Sequence, residues 1–195
     1  MVGQASGRRP GRPAQISRDR IVEAVASAEN VDTLTMRELA TRLGVTHGAL
    51  YRWVKNRDEL FDLVSEVLVE RIVGAVAARA VPSGDWAARL TAVSWAMHDE
   101  FLALPGFATH LSRPHRHSDH SIGVLRSTVV DIFRAAEVDD ELAQQSWHIF
   151  ITCVVGWLAS AENPLDVGPG VASFELFLDV LLRGLPARAP GVPRP

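Results

Sequence analysis

The sequence predicts an all-α protein with a small N-terminal domain of short helices and a larger C-terminal domain of longer ones. Apolar residues recur at intervals of three and four along most of the 195-residue chain, as they do on one face of a helix. Residue types that cap helix N-termini precede these stretches. The chain shows no alternating pattern typical of a β-strand, no internal repeat and no coiled-coil heptad array.

Composition fits an ordinary globular protein and excludes several other classes. Hydrophobic residues make up 47% of the chain and charged residues 22%. The lone cysteine, Cys153, excludes an internal disulfide and a multi-thiolate metal site. The longest nearly apolar run, residues 147–161, is shorter than the roughly 20 residues that cross a bilayer, and the N-terminus lacks the apolar stretch of a secretory signal. We therefore expect a cytoplasmic protein without membrane contact.

Charge is distributed unevenly along the chain, whose formal net charge is -3. Residues 1–60 carry 10 Lys or Arg against 7 Asp or Glu, whereas residues 61–195 carry 10 against 16. A basic head on an acidic body indicates that only the head meets a polyanion. A difference of this size is also common on solvated surfaces. The pattern of side chains within residues 1–60 therefore decides whether this segment binds a polyanion.

Helix signals begin at Ser17, after a Gly-, Pro- and Arg-rich segment that we expect to be a flexible arm. Ser17 is predicted to cap a first helix with Ile21 and Val25 on its apolar stripe. Asn30 is predicted to end this helix, because Asn tolerates a left-handed backbone.

The next helices form the centre of the domain. Thr35 and Glu38 make a capping box at the start of a second helix, which Gly44 ends. Thr46 caps a short third helix with the predicted inward face Leu50, Trp53 and Val54 and the predicted outward face His47, Gly48, Tyr51 and Arg52. Asn56 caps a fourth helix that reaches about Arg79, and further helices are predicted near residues 85–103, 118–137, 139–162 and 171–184.

Two short helices joined by a glycine turn have the layout of a helix-turn-helix, in which the second helix enters the major groove of DNA. The alternative is an ordinary amphipathic helix pair within an all-α domain. Tyr51, Arg52, Lys55 and Arg57 favour DNA binding, because they cluster where a backbone phosphate would lie.

A longer motif runs through this domain. It reads Leu39-Ala40-x-x-Leu43-Gly44-Val45-Thr46-x-Gly48-Ala49-Leu50-Tyr51-x-Trp53-Val54-Lys55-Asn56-Arg57-x-Glu59-Leu60. With this motif, the segment from Ser17 to about Leu63 resembles the DNA-binding domain of the TetR (tetracycline repressor) family. The resemblance implies an all-helical homodimeric repressor whose variable C-terminal domain dimerises and binds an inducer.

The resemblance also implies which residues contact DNA. The positions that it assigns to phosphates are Thr35, Tyr51 and Lys55. The positions that it assigns to bases are Arg37, His47, Ala49 and Arg52. Thr46 and Gly48 complete the predicted DNA-binding set, Gly48 and Ala49 being small enough to let the helix approach closely.

These inferences divide the chain into four parts. They are a flexible basic arm at 1–15, a helix-turn-helix DNA-binding domain at 16–62, a ligand-binding and dimerisation domain at 63–185 and a flexible tail at 186–195. Arginines in the arm, at Arg8, Arg9 and Arg12, can insert into a narrow minor groove. An uninvolved tail explains the same residues equally well.

Two strongly apolar stripes lie late in the chain. One is Trp147, Phe150, Val154, Trp157 and Ala161, and the other is Phe174, Phe177, Leu178, Leu181 and Leu182. They fit either an ordinary core or a four-helix interface between two subunits. We favour the interface, because a palindromic operator with half-sites one turn apart requires a symmetric dimer.

Weaker similarity to the tetracycline-repressor-like branch of the family continues around Thr109-His110-Leu111-Ser112-Arg113-Pro114. Val73, Val93 and Thr128 stand where that branch has polar contacts to its drug. We therefore expect a different, largely hydrophobic small molecule as the inducer. The predicted ligand-binding residues are Trp95, His110, Thr128 and Trp147.

A histidine cluster, His115, His117 and His120 with Asp119, has side chains that could ligate zinc or nickel. Pro114, Arg116 and Ser118 indicate an exposed polar loop, which explains the same residues without a metal. We predict no metal and no cofactor.

The function that the resemblance implies is a ligand-responsive repressor whose partners are a double-stranded DNA operator, an inducer and a second copy of the chain. An architectural DNA-binding protein without an inducer would instead have a small, closed C-terminal core. An enzyme with an accessory helix-turn-helix is disfavoured, because the sequence lacks a nucleophile–base pairing, a Gly-rich phosphate loop and an HExxH motif.

Overall fold

The computed structural model describes residues 16–79, 81–82, 84–113, 118–164, 166, 168, 170 and 172–185. Regular structure in this part of the chain consists of nine helices, which confirms the all-α prediction. The first four helices are α1 Arg18–Ala26, α2 Met36–Leu43, α3 His47–Leu50 and α4 Arg57–Ala78. The other five are α5 Trp86–Leu102, α6 Phe107–Ser112, α7 Asp119–Ala135, α8 Asp140–Glu162 and α9 Phe174–Gly184.

Helix α1 begins where predicted but ends early. The Ser17 side chain accepts a hydrogen bond from the Arg20 N–H, so the N-terminal cap is confirmed. The helix ends at Ala26, and Asn30 does not have a left-handed backbone, so the predicted end at Asn30 is wrong. The Asn30 side chain instead accepts from the Asp32 N–H at 2.7 Å, which makes a tight turn in the α1–α2 loop, residues 27–35.

Helix α2 has both predicted end signals. The Thr35 side chain accepts from the Glu38 N–H, and the Glu38 carboxylate accepts from the Thr35 N–H at 2.8 Å. Gly44 ends the helix in the left-handed region with φ 67°, a conformation that glycine adopts without a steric cost.

Helix α4 connects the two predicted domains. The Asn56 side chain caps it as predicted, and its 22 residues span about 33 Å at 1.5 Å per residue. It packs against α1 on one side and against α5 and α7 on the other. Arg18 of α1 pairs with Glu66 and Glu70 of α4 at 3.1 and 2.9 Å. None of the helices described is long and apolar enough to cross a membrane.

The C-terminal helices surround a core of large side chains, among them Phe107, Phe133 and Phe150, which are fully buried. The stripe of α8 that contains Trp147, Phe150 and Val154 is buried within this single chain. The prediction that these three side chains form an intersubunit interface is therefore wrong, because they already fill the core of the monomer; Trp157 is half-buried and Ala161 is exposed.

The helices predicted from the sequence did not include α6. Its first residue follows Gly106, which has a left-handed backbone and no side chain that could cap the helix. The cap comes from α8, because the Glu162 carboxylate accepts from the N–H groups of Gly106 and Thr109 at 2.9 and 2.8 Å. A cap supplied from more than 50 residues away leaves no local signal.

Candidate nucleic-acid interface and ligand cavity

Helix α3 is short and held from one side. Leu50 and Val54 are almost fully buried, and the Thr46 side chain caps the helix by accepting from the Ala49 N–H at 3.2 Å. The opposite face is exposed and consists of His47, Gly48, Tyr51 and Arg52, as the sequence predicted. Two buried anchors therefore fix the helix while its polar side faces solvent.

Two aromatic rings share this exposed face. The ring centroids of His47 and Tyr51 lie 4.4 Å apart with a tilt of 54°. Trp53, which was predicted to point inward, is 45% exposed, so that prediction is wrong. The helix ends at Leu50, and the Trp53 N–H donates to the Leu50 carbonyl at 2.8 Å in a tighter turn. Helical spacing therefore does not extend to Trp53, and the sequence pattern missed an aromatic group on this surface.

Positive charge lies beside this face. Lys55 has an 81% exposed side chain whose Nζ atom is 3.9 Å from Glu59 Oε1, a distance at which water screens the pair strongly. Arg57 does not join this face. Its guanidinium donates to the carbonyls of Leu34 and Val31 at 2.7 and 2.8 Å, so the predicted clustering of Arg57 with the other DNA-facing cations is wrong.

The start of α2 lies in the same domain and exposes Thr35 and Arg37. The Glu38 carboxylate accepts hydrogen bonds from the Thr35 N–H and from the Thr35 hydroxyl, and these bonds hold the pKa of Glu38 below its ordinary value. The capping box therefore keeps Glu38 ionised and fixes the Thr35 backbone.

A cavity of about 500 Å³ lies between helices α4 to α8. Large apolar side chains line much of it, including Phe101, Phe107, Trp147 and Ile151. Its polar lining comes from Ser65, Ser112, Ser121, His148 and Thr152. The described lining contains no Asp, Glu, Lys or Arg, so the cavity favours an uncharged, largely apolar molecule.

The predicted ligand-binding residues are not gathered at this cavity, where only Trp147 of the four is found. Trp95 lies against Phe174, with ring centroids 5.0 Å apart. His110 stacks on Phe61 at 3.7 Å, and the Thr128 hydroxyl donates to the Val124 carbonyl within α7. The sequence could not separate these positions, because an apolar helix face can line a cavity or a core.

Some predicted features lie outside the described residues. They are the basic arm with Arg8, Arg9 and Arg12, and the histidines His115 and His117 of the candidate metal cluster. His120 is exposed at the start of α7. Within the part of the chain that is described, no three His, Cys, Asp or Glu side chains are placed to hold a metal ion.

A separate apolar surface is exposed on the last two helices. Ile149 of α8 and Leu176 and Val180 of α9 have exposed fractions of 48%, 56% and 64%. Gly156 is also exposed on α8, where it belongs to the cavity lining and has open space where a side chain would begin. We call Ile149, Leu176 and Val180 the α8–α9 surface.

The fold and the exposed α3 define the class as an all-helical protein of the helix-turn-helix type. Residues 23–64 match the family model described as "Bacterial regulatory proteins, tetR family". The segment that carries the motif therefore matches the DNA-binding domain of the TetR family, as the motif indicated.

Individual proteins support this assignment. The chain is 42% identical over 64 residues to the HTH-type transcriptional repressor DrrR1 of Streptomyces coeruleorubidus, an alignment that covers 30% of this chain and 24% of the repressor. The match thus spans about a quarter of the length of that curated relative, and it is confined to a segment the size of the DNA-binding domain.

Solved structures extend the likeness to most of the chain. A possible TetR family transcriptional regulator from Streptomyces coelicolor A3(2) is 25% identical with a TM-score of 0.68, over 87% of this chain and 98% of the other. ActR of Streptomyces coelicolor, in its complex with actinorhodin, is 27% identical with a TM-score of 0.62, over 76% of this chain and 69% of the other.

Proposed function

We propose that this protein is a transcriptional repressor that binds a palindromic operator as a homodimer and is released by a small, largely hydrophobic molecule. The proposal rests above all on α3, whose exposed face is supported from behind by Leu50 and Val54. A helix held in this way can enter the major groove, about 12 Å wide, without losing its support. Residues 16–62 form the DNA-binding domain in this proposal, and residues 63–185 bind the ligand and the second subunit.

The DNA contacts divide into two groups. Tyr51 and Lys55 lie at the end of α3, where an exposed hydroxyl and ammonium can hold phosphates, and Thr35 does so from the start of α2. The residues proposed to face bases are Arg37, His47, Ala49 and Arg52. Gly48 has no side chain and that of the cap residue Thr46 is small, so the start of α3 can come close to the base edges.

The α8–α9 surface supports the dimer of this proposal. Three large apolar side chains are exposed there, and burying them against a second copy would remove apolar surface from water. A twofold axis through this surface would present two copies of α3 to successive half-sites.

The inducer is proposed to occupy the cavity between α4 and α8. Its volume of about 500 Å³ is within the range of small-molecule sites. ActR, a family neighbour, has been solved with actinorhodin, which supports a ligand-responsive role. An open cavity of this size argues against the architectural alternative, for which we expected a small closed core. The family assignment disfavours the enzyme alternative, and we propose that the protein acts in the cytoplasm.

Footprinting on the DNA that flanks the protein's own gene tests the proposal. We expect a protected palindrome. Tyr51→Ala and Lys55→Ala should each weaken binding to all DNA, and Lys55→Ala, which removes a charge, should also reduce the salt slope by about one unit. His47→Ala should instead change the sequence preference. Arg126→Ala is the control, because it removes an exposed cation from α7 outside the proposed interface.

Two outcomes would contradict this proposal. If Tyr51→Ala and Lys55→Ala leave operator affinity at the level of Arg126→Ala, the phosphate contacts are assigned wrongly. If the flanking DNA shows no protected site at protein concentrations below those that saturate nonspecific binding, the proposal that the protein represses its neighbouring genes is wrong.

A further inference from the structure

Helix α6 lies between the cavity and the DNA-binding domain. Phe107, Leu111 and Ser112 line the cavity from one side of the helix. On another side, the His110 Nδ1 atom is 3.4 Å from Asp32 Oδ1, and Arg113, which follows α6, donates to Asp32 Oδ2 at 2.6 Å. One short helix therefore both lines the cavity and contacts the α1–α2 loop.

The backbone strengthens this contact. The Val31 N–H donates to the Pro105 carbonyl at 2.8 Å, just before α6 begins. Gly106 lies so close to the Asn30 side chain that a Cβ atom there would collide with it. We call the contacts of Asn30, Val31 and Asp32 with residues 105–113 the α6–loop contact.

The loop is in turn fixed to the helix-turn-helix. The Arg57 guanidinium donates to the carbonyls of Val31 and Leu34 and lies 3.8 Å from Asp32 Oδ1. Thr35, the next residue after Leu34, caps α2. A displacement of Asp32 therefore reaches the start of α2 through three residues of tightly bonded backbone.

The start of α6 is also bonded to another wall of the cavity. Glu162, the last residue of α8, accepts from the Gly106 N–H and from the Thr109 N–H and hydroxyl, at 2.9, 2.8 and 2.6 Å. Helix α8 contributes Trp147, Ile151 and Val155 to the cavity lining. A molecule that moved α8 relative to the other cavity walls would therefore act on α6 through Glu162.

We infer that Asp32 is a positioning residue through which occupancy of the cavity changes the position of α2 and α3. The inference rests on the proposed function and names how its ligand site is regulated. The Asp32 side chain is only 18% exposed, so its attraction to the cations beside it is screened less than at the surface. A ligand that binds better when α6 is displaced weakens this attraction, and the coupling is reciprocal.

Hydrogen–deuterium exchange of the full chain, without DNA or ligand, tests the contact. Asp32→Asn keeps the shape of the side chain and removes its charge. We expect amide exchange at least about threefold faster in both residues 29–35 and residues 106–112, because both sides of the contact open together. Asp32→Glu restores the charge and should return exchange towards that of the wild type.

Asp140→Asn is the matched control. It removes a carboxylate from the exposed ion pair with Arg134, 2.8 Å away, which does not touch the α1–α2 loop. Exchange in residues 29–35 and 106–112 should stay at the wild-type rate. Equal rates in wild type and Asp32→Asn would overturn the inference, whatever the ligand of the cavity is.

A second measurement follows the coupling itself with N-phenyl-1-naphthylamine, a neutral apolar dye that fluoresces when it is buried. In the wild type, the dye should change exchange in both segments. In Asp32→Asn it should change exchange only in residues 106–112, with a dye affinity within about twofold of the wild type, because Asp32 does not line the cavity. Thr152→Trp, which fills the cavity mouth, should abolish the dye signal.

The outcomes separate this inference from the proposed function. If the dye binds and exchange in residues 29–35 of the wild type does not change, Asp32 does not transmit occupancy, although the ligand cavity stands. If the dye does not bind, the apolar ligand of the proposed function is contradicted. The exchange rates of Asp32→Asn then decide by themselves whether the α6–loop contact depends on Asp32.

Discussion

The DNA-binding domain and the C-terminal domain differ in how many apolar faces each helix has. Helix α2 has one, formed by Met36, Leu39, Ala40 and Leu43, and its other residues are polar. Helix α8 has three: Phe150 belongs to the core, Ile151 to the cavity and Ile149 to the exposed surface. Helical spacing identifies an apolar face, but the neighbouring elements decide what that face contacts.

The largest expected effect separates two neighbouring residues of α8. Phe150→Ala should lower the free energy of unfolding by about 3–5 kcal/mol, because it leaves a cavity in a packed core. Ile149→Ala should act only through self-association, so its effect on the melting temperature should depend on protein concentration. Calorimetry across a range of concentrations measures both. If the two variants behave alike, α8 does not have distinct core and surface faces.

The next largest effect is expected on the dissociation of the proposed dimer. Val180→Lys places a charge on the α8–α9 surface, and we expect the dimer to dissociate at least about tenfold more easily, because the charge would have to be desolvated. Sedimentation equilibrium measures this change. Arg183→Ala is a suitable control, since this exposed side chain pairs with Asp179 on its own helix. An unchanged dimer constant would contradict the assignment of this surface.

Two glycines of the DNA-binding domain should respond in opposite directions. Gly44→Ala should destabilise the fold by about 1 kcal/mol, because φ 67° is unfavourable for a residue with a Cβ atom. Gly48→Ala should stabilise it by about 0.5 kcal/mol, since Gly48 is helical and has open space around it. Gly48→Ala should still weaken operator binding. Chemical unfolding and DNA titration together test this pair.

The smallest expected effect is on the pH dependence of stability. The pKa of Glu38 is lowered in the folded state by hydrogen bonds from Thr35, so the capping box contributes stability that is fully present above the unfolded-state pKa. That contribution is lost as pH falls through the lower, folded-state pKa. A carboxyl titration by NMR should give a lower midpoint for Glu38 in the folded chain than in the urea-unfolded chain. Equal midpoints would show that the bonds do not favour the ionised form.

The sequence was most informative where a signal is local. Thr35, Thr46 and Asn56 cap the helices that they were predicted to cap, because the capped N–H group lies within three residues of the side chain. The outward face of α3 was predicted for the same reason, because it depends on residues only a few positions apart. Trp53 was misplaced because the helix ends one turn earlier than its spacing suggests.

Features that depend on distant residues could not be predicted. Helix α6 is capped by Glu162, and His110 is held against Phe61 and Asp32 from a different domain. Neither Phe61 nor Asp32 can be identified as a partner from the residues around His110. For the same reason, the sequence grouped His110 with ligand-binding positions, while the structure places it on the side of α6 that meets the α1–α2 loop.

The α6–loop contact limits how this protein could be recombined with its relatives. A hybrid that joins its N-terminal domain to another sensor would have to cut within α4, which is continuous from Arg57 to Ala78. It would also need a residue without a Cβ atom where Gly106 meets Asn30, and basic groups opposite Asp32. The transferable unit is therefore the proposed DNA-binding domain, residues 16–62, together with α6, two pieces of chain more than 40 residues apart.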